Sequence, residues 1–363
     1  MKRILSAALA CCLLVPLLTA RIEAATRTPE ATVVSFPELE ALVAASNPDM
    51  RALEQSYGLQ RRTLEMLEKE HRRWMESDQP LSYYASLTIE LQKEISALKL
   101  ALAYEETDMA RALRQQVYLA RYQYLAHYIC QLDIQVAQLN LDAAQQRWEQ
   151  LQAQHLAGYT AYARVEETQL ELEAYEKALR GLEQLQQVNV TSLANTLGIV
   201  GDIQLSGLPE MDLDAIPARD FQADCAAYQL GAPLVRQRII ELEQAEQAKN
   251  AFPGSSTEVT RYAYQLAQKN LALAQQLAAQ EFPQVYQRLQ QAYQDYINTD
   301  QVAVAQARCD RAQRQWALGL ISRDQRQAAQ RVLEQETCAL QKQGIELYRT
   351  LLYYALNLDY PAE

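Results

Sequence analysis

WALGLISRDQRQ, residues 316–327, places one glycine between two polar, helix-forming stretches. The segment HLAGYTAYARVE, residues 155–166, has the same layout, and its glycine lies 161 positions earlier in the chain. Glycine adopts the left-handed backbone conformation that ends a helix and lets the chain reverse. The recurrence therefore predicts two helical hairpins, with Gly158 and Gly319 at their tips.

Glycine and proline are scarce, which indicates few turns and much helix. The chain has 363 residues, with only 10 Gly and 11 Pro, and none of either occurs between Ala85 and His155. Apolar residues recur there at spacings of three and four, as at Leu91, Ile95 and Leu98. This pattern predicts a single helix about 105 Å long. A helix of that length needs coiled-coil partners to be stable.

The same plan of helices occurs twice. The first half predicts a short helix ending at Ser46 and helices over 48–77, 85–155 and 161–197; the second predicts helices over 220–230, 233–251, 258–318 and 323–356. Pro283 is expected to kink its long helix. Gly198 and Asn357 are expected to end the last helix of each half in a left-handed conformation. Two shorter helices could then stack end to end along one long helix in each half.

These patterns predict an all-α protein of long antiparallel coiled-coil hairpins in two tandem structural repeats. The first repeat covers residues 25–219 and includes an irregular crossing segment from 199 to 219, and the second repeat covers 220–363. Residues 1–24 have the basic start, apolar run and small residues of a secretory signal peptide. An uncleaved membrane anchor is the alternative, because the apolar run is near the lower length limit for a span.

Composition argues against several functions. A net charge of −11 disfavours binding to nucleic acid, which requires clustered positive charge. The three histidines, at positions 71, 127 and 155, have no pattern of neighbouring ligands, so no metal site is expected. We find no HExxH, phosphate-loop or G-x-S-x-G motif. The sequence therefore predicts neither an enzyme nor a cofactor.

The cysteines allow two interpretations. Cys130, Cys225, Cys309 and Cys338 follow the predicted signal peptide, and an even number in an exported protein is typical of disulfides. In the predicted hairpin, however, Cys309 and Cys338 would lie about 13 Å apart along the helices. Disulfides need α-carbons within about 7 Å. Free, buried thiols are the favoured interpretation.

Several segments, taken in order, resemble the outer-membrane efflux protein family, the TolC-like export ducts. Residues 36–51, FPELEALVAASNPDMR, are similar to the opening helix of the family and its Asn-Pro restart. Residues 247–249 with Phe252-Pro253 resemble the point where members leave the helix for their barrel. Residues 317–322, ALGLIS, resemble the glycine-led turn at the tip. The likeness covers nearly all of residues 36–358.

The resemblance implies a homotrimer in which each chain supplies two hairpins to a twelve-helix tube. Such a tube is a passive conduit without a cofactor, associated with the outer membrane. Its tips would engage a periplasmic adaptor (membrane fusion) protein that is served by an inner-membrane pump of the ABC or RND type. The residues implied for adaptor binding are Leu156, Gly158, Tyr159, Thr160, Gly319, Leu320, Ile321 and Ser322. Ser322 and Gln325 also have the spacing of a capping box.

The sequence departs from the family in two respects. Members with a membrane barrel insert strand hairpins of about 20 or more residues, but the corresponding connections here, 78–84 and 252–257, are too short. We therefore predict an α-barrel protomer without a β-barrel, exported to the cell envelope. Family tips often carry an aspartate six residues after the glycine. The candidates for a lumen constriction are Arg164, Arg323, Asp324 and Gln325, a set that does not predict an acidic gate.

Two functions remain open at this point. The first is a subunit of an export or efflux duct that docks an adaptor through its hairpin tips. The second is a structural coiled-coil spacer of the cell envelope that conducts nothing. The tip glycines fit both, because any antiparallel coiled coil needs a reversal. Their matched positions in a repeat favour docking, since exposed loops on a rigid scaffold often bind partners.

Overall fold

The computed structural model describes residues 32–76, 81–250 and 258–358. The predicted signal peptide, residues 1–24, and the predicted connection 252–257 lie outside these ranges. The predicted connection 78–84 lies partly outside them, and its last residues belong to a helix. In the parts of the chain that the structure describes, none of the helices combines the length and apolar character needed to cross a membrane.

Helices form most of the described chain, which confirms the predicted all-α class. In chain order the elements are β1 (Thr32–Val34), α1 (Leu39–Ser46), α2 (Pro48–Met75), α3 (Leu81–Leu156), α4 (Tyr162–Leu197), β2 (Ile203–Leu205), α5 (Phe221–Gly231), α6 (Pro233–Asn250), α7 (Glu258–Ile297), α8 (Gln301–Ala317) and α9 (Arg323–Asn357). The two strands, which the sequence did not predict, pair in parallel with Val33 opposite Gln204. They join the residues before α1 to the predicted crossing segment, residues 199–219.

The shorter helices stack along the longer ones, as predicted. Helix α3 has 76 residues, and both α2 and α4 pack against it. In the second half α6 packs against α7, and α9 packs against both α7 and α8. Helices α3 and α9 also pack against each other, so the two hairpins lie side by side.

The predicted helix over 258–318 is wrong as a single element, because the chain leaves the helix between α7 and α8. The break falls at Asn298, Thr299 and Asp300, three residue types whose side chains compete for backbone hydrogen bonds. The Thr299 hydroxyl, for example, donates to the Asp295 carbonyl at 2.8 Å. Pro283 lies inside α7 without ending it.

The prediction of a left-handed Asn357 is also wrong. Among the described residues only glycines have a positive φ, and Asn357 is the last residue of α9. Its side-chain nitrogen instead donates to the Tyr353 carbonyl at 2.7 Å. The last turn is closed by the Leu358 amide, which donates to the Ala355 carbonyl at 3.2 Å, and Leu358 continues in an extended conformation.

A buried junction joins α1, α2 and the end of α4. Asn47 caps α2 by accepting a hydrogen bond from the Met50 amide at 2.9 Å, and its side-chain nitrogen donates to the Thr196 carbonyl at 2.6 Å. The Ser46 hydroxyl donates to the Leu197 carbonyl at 2.5 Å. Gly198 ends α4 with φ +64°, as predicted. The Asn-Pro restart thus supplies donors to the carbonyls at the end of a distant helix.

Two apolar clusters adjoin this middle region. The first is built mainly from α1, α3, α4 and the strands, and the second from α5, α6, α7 and α9. Their largest fully buried members are Leu39, Tyr124, Leu125, Leu193 and Leu197 in the first and Ile216, Phe282, Leu289 and Tyr354 in the second. The middle of the hairpins is therefore the apolar core.

The seam between α3 and α9 is polar towards the tips. As the residue number rises on α3 it falls on α9, as expected for antiparallel helices in one continuous register. The bonded pairs are Asp133 with Lys342 at 2.8 Å, Asn140 with Gln335 at 2.7 Å, and Gln150 with Asp324 at 3.1 Å. The two hairpins of one chain are held together here by hydrogen bonds and an ion pair.

The four cysteines Cys130, Cys225, Cys309 and Cys338 are unpaired, in agreement with the favoured interpretation. Burial raises the pKa of the Cys130 and Cys338 thiols. A raised pKa reduces the thiolate fraction at neutral pH, and the thiolate is the reactive form. We therefore assign them a packing role.

The burial of His127 predicts that the stability of the fold depends on pH. Its Nδ1 atom is buried without a hydrogen-bond partner, and burial lowers its pKa. Because the unfolded chain takes up the proton first, folding stability should fall as the pH drops below about 6.5. We expect His127→Gln to reduce this loss when urea unfolding is compared at pH 7.5 and 5.5. An unchanged difference between the two pH values would exclude His127 as a contributor.

Candidate functional site: the two hairpin tips

The first tip ends α3 with a Schellman motif. The Gly158 amide donates to the His155 carbonyl and the Tyr159 amide donates to the Gln154 carbonyl, both at 2.8 Å. Gly158 has φ +80°, a conformation that strains residues with a side chain. The local pattern thus explains why glycine occupies this position.

The second tip repeats this geometry at the end of α8. The Gly319 amide donates to the Trp316 carbonyl at 2.9 Å, and the Leu320 amide donates to the Gln315 carbonyl at 2.8 Å. Gly319 has φ +71°. The two reversals are therefore equivalent at the level of individual backbone hydrogen bonds, as the matched sequence stretches predicted.

An aromatic ring three residues before each glycine contacts the returning chain. The His155 Nδ1 atom donates to the Thr160 carbonyl at 3.0 Å, and its ring lies 5.5 Å from that of Tyr162. In the second tip the Arg326 guanidinium lies 4.2 Å from the centre of the Trp316 ring. Such contacts across the reversal hold each tip in one conformation.

The returning helices begin differently. Ser322 and Gln325 form the predicted capping box before α9, in which Gln325 donates its amide to the Ser322 hydroxyl and the Gln325 side chain accepts from the Ser322 amide. The corresponding residue before α4 is Ala161, which has no side chain to cap the helix. Because its side chain is engaged in the cap, Gln325 is poorly placed to project into a lumen.

Both tips expose large apolar side chains. Leu156 is 82% exposed, Tyr159 84% and Leu320 69%, whereas Thr160 and Ile321 are half-buried. The structure adds Tyr162, at 62%, and Leu318, at 74%. We call Leu156, Tyr159, Tyr162, Leu318 and Leu320 the tip surface. Exposed apolar groups concentrated at loop tips are typical of a protein interaction site.

The sequence pattern does not predict the exposure of Leu318 and Tyr162. Both stand in the stretches that revealed the tips, directly before Gly319 and four residues after Gly158. Both fall at the ends of predicted helices, 161–197 and 258–318, and the partner helix normally buries apolar helical residues. At the tip the partner helix ends at the same level, so it leaves most of the surface of both side chains exposed.

The four candidate constriction residues do not form one cluster. Asp324 accepts a hydrogen bond from Gln150 of the other hairpin and lines a cleft of about 260 Å³ between α3, α4 and α9. Arg164 and Arg323 are exposed. Within one chain these residues therefore do not build a gate, and the constriction stays a prediction.

Across residues 32–76, 81–250 and 258–358, no group of three histidine, cysteine or carboxylate side chains is placed to hold a metal ion. The tip surface consists of apolar side chains and backbone turns.

Comparison with solved structures identifies proteins that share the overall fold of this chain. Neither a family model nor a curated protein sequence matches the chain. The outer-membrane channel OprN superposes with a TM-score of 0.58 and 14% identity, and the alignment covers 89% of each chain. The Campylobacter jejuni CmeC outer-membrane channel gives 0.57 and 10%, covering 90% of this chain and 87% of that one.

A third channel, MtrE of Neisseria gonorrhoeae in its open state, gives a TM-score of 0.52 and 12% identity over 89% of this chain and 88% of that one. The chain thus has the fold of these outer-membrane channels, which confirms the predicted TolC-like helical protomer. At such low identity the likeness concerns the fold alone.

Proposed function

We propose that this protein is a subunit of a TolC-like export or efflux duct, a passive helical conduit that docks an adaptor protein through its hairpin tips. The observation that carries the proposal is the pair of equivalent Schellman tips exposing Tyr159 and Leu320 on a fold shared with outer-membrane channels. A duct performs no chemistry, so the proposal requires neither a catalytic site nor a cofactor.

The assembly proposed is a homotrimer. The repeats over residues 25–219 and 220–363 would each contribute one hairpin, giving six hairpins around a common axis. Exposed apolar residues on the long helices support self-association, because a monomer would leave them in water. Among them are Leu170 on α4, which is 62% exposed, and Leu273 on α7, which is 56% exposed. Residues 1–24 would direct export to the cell envelope.

The partners proposed are a periplasmic adaptor and, beyond it, an inner-membrane pump of the ABC or RND type. The adaptor would cover the tip surface. Apolar and tyrosine side chains at the end of a rigid rod suit such docking, since tyrosine contributes large contact area at low entropic cost. The pump supplies the energy for transport, and the conduit itself needs no nucleotide.

The alternative is a structural spacer that conducts nothing, and electron microscopy distinguishes it from a duct. A duct predicts rings with a central hole when particles of the purified protein are viewed along their long axis. A solid bundle in that view would favour the spacer. Solitary particles at concentrations where the tips still bind an adaptor would contradict the trimer and leave docking intact.

A further inference from the structure

The outermost part of the two tips is basic, although the chain as a whole is acidic. Within seven residues of Gly158 or Gly319 the sequence holds one carboxylate, Asp324, and four arginines, which we call the tip arginines: Arg164, Arg314, Arg323 and Arg326. The net charge of this region is +3, whereas the whole chain carries −11. Asp324 is itself engaged, because it accepts a hydrogen bond from the Gln150 side chain at 3.1 Å. Positive charge therefore dominates at the end of the molecule.

The tip arginines find no acidic partner within the described chain. Across residues 32–76, 81–250 and 258–358, none of them forms an ion pair, whereas Arg121, for example, pairs with Glu40 at 3.1 Å. Arg164, Arg314 and Arg323 are exposed. Clustered charges of one sign repel each other, so this concentration is unfavourable unless another molecule supplies the opposite charge.

Arg326 is fixed against the apolar part of the second tip. Its guanidinium lies 4.2 Å from the centre of the Trp316 ring, and its Nε atom is buried without a hydrogen-bond partner in the described chain. Trp316 is 44% exposed, and Leu318 and Leu320 follow within four residues. Tryptophan and arginine are enriched among the residues that dominate the energy of protein interfaces. The second tip thus combines an exposed apolar centre with a positioned cation.

The charge changes sign immediately beyond the tips. Positions eight and nine from the two glycines hold one arginine, Arg311, and four exposed carboxylates: Glu149, Glu166, Glu167 and Asp310. An acidic partner is therefore attracted to the end of the molecule and repelled by the flanks. Charge patterns of this kind fix the orientation of a complex and suppress wrong contacts. The pattern favours end-on docking over contact along the sides of the helices.

We infer that the protein that docks on the hairpin tips contacts them through an acidic surface with an apolar centre. Its apolar part covers Leu318 and Leu320, and its carboxylates pair with the tip arginines. Guanidinium and carboxylate groups form bidentate hydrogen bonds of fixed geometry, so these pairs orient the partner as well as attract it. The inference rests on the proposed docking at the tips and specifies the chemistry of the partner.

A membrane with anionic headgroups is a second surface that attracts arginine. The proposed conduit favours a protein, because the passage must continue beyond the tips and a lipid surface would close it. Membrane binding also relies on a continuous basic face, which the carboxylates of the flanks interrupt here. The protein partner is therefore the occupant that the charges and the proposed function favour together.

The test reverses the charge of the three exposed tip arginines. A photoreactive residue in place of Leu320 captures the docked partner in cells, and gel electrophoresis measures the captured fraction. We expect R164E/R314E/R323E to reduce capture about tenfold or more, because carboxylates then face carboxylates.

Two matched variants separate charge from structure. R164K/R314K/R323K keeps the positive charge and should retain most of the capture. R62E/R73E/R288E makes the same charge change at exposed arginines away from the tips and should leave capture unchanged. Circular dichroism of the purified proteins should show the same helicity in every variant, because all the substituted side chains are exposed.

The captured product identifies the surface that meets the tip. Mass spectrometry should find aspartate or glutamate in the partner within about one helical turn of the cross-linked residue. Replacing these acidic residues by lysine should weaken capture by the parent and restore capture by R164E/R314E/R323E. Such a restoration requires direct pairing, since a damaged tip would not recover.

The possible failures are distinguishable. A captured surface that is basic or uncharged, or equal capture by the parent and by R164E/R314E/R323E, overturns the inference and leaves docking at the tips intact. Flotation of the parent with phosphatidylglycerol vesicles, lost in that variant, overturns it in favour of a lipid surface. If position 320 captures no protein at all, both the inference and the proposed function are contradicted.

Discussion

Replacing Gly198 by alanine should destabilise the protein by about 3 kcal/mol or more, one of the largest effects available to a single methyl group. The added Cβ would lie 2.2 Å from the Ser46 carbonyl oxygen, and Gly198 has φ +64°. The clash is with backbone, so no side chain can move aside. Urea unfolding of the purified protein measures the change.

Gly58→Ala is the matched control. Gly58 lies within α2, and a Cβ there meets nothing within 4 Å. Alanine at such a position should stabilise the helix by about 0.5–1 kcal/mol. Equal stability of the Gly198→Ala variant and the parent would show that the junction does not hold α1 and α2 against the end of α4.

Polar substitution of both tips should abolish docking. We expect Y159S/L320S to weaken adaptor binding at least about 100-fold, because exposed aromatic and apolar anchors dominate such interfaces. Export should fall accordingly, measured as intracellular accumulation of a transported dye. The fold should persist, since the two side chains are 84% and 69% exposed and make few contacts within the chain.

Val200→Ser controls for the loss of an exposed apolar side chain, because Val200 is fully exposed but lies away from the tips. It should leave binding and export unchanged. In a parallel experiment, cysteines at positions 159 and 320 should cross-link to the adaptor in cells, and one at position 200 should not. Normal export by Y159S/L320S would show that the tips only reverse the chain and do not bind the adaptor.

The sequence was informative wherever a local backbone requirement dictated residue type. Gly158, Gly198 and Gly319 are predictable from the sequence because a left-handed residue at a helix end nearly requires glycine. The capping box of Ser322 and Gln325 is predictable for a similar reason, because its spacing is fixed by the first turn of the helix. Long helices were predictable from the absence of glycine and proline and from the spacing of apolar residues.

Features that depend on tertiary contacts were not predictable. The pairing of β1 with β2 joins segments about 170 residues apart, and each strand has only three residues, too few to show an alternating pattern. The helix break at Asn298–Asp300 lies in a polar stretch without proline, whereas Pro283, where a kink is expected, lies inside the continuous helix α7. Exposure of Leu318 depends on where the neighbouring helix ends, and no local pattern reveals that.

The register of the α3–α9 seam has a consequence for the shape of the docking end. Gln150, eight residues before Gly158, bonds to Asp324, five residues after Gly319. Measured along the helices, the first hairpin therefore extends about 4 Å beyond the second. Three copies around an axis would present six tips that alternate between two levels along that axis. A partner with six identical binding sites would have to accommodate this offset, so neighbouring sites would bind the tips at two different depths.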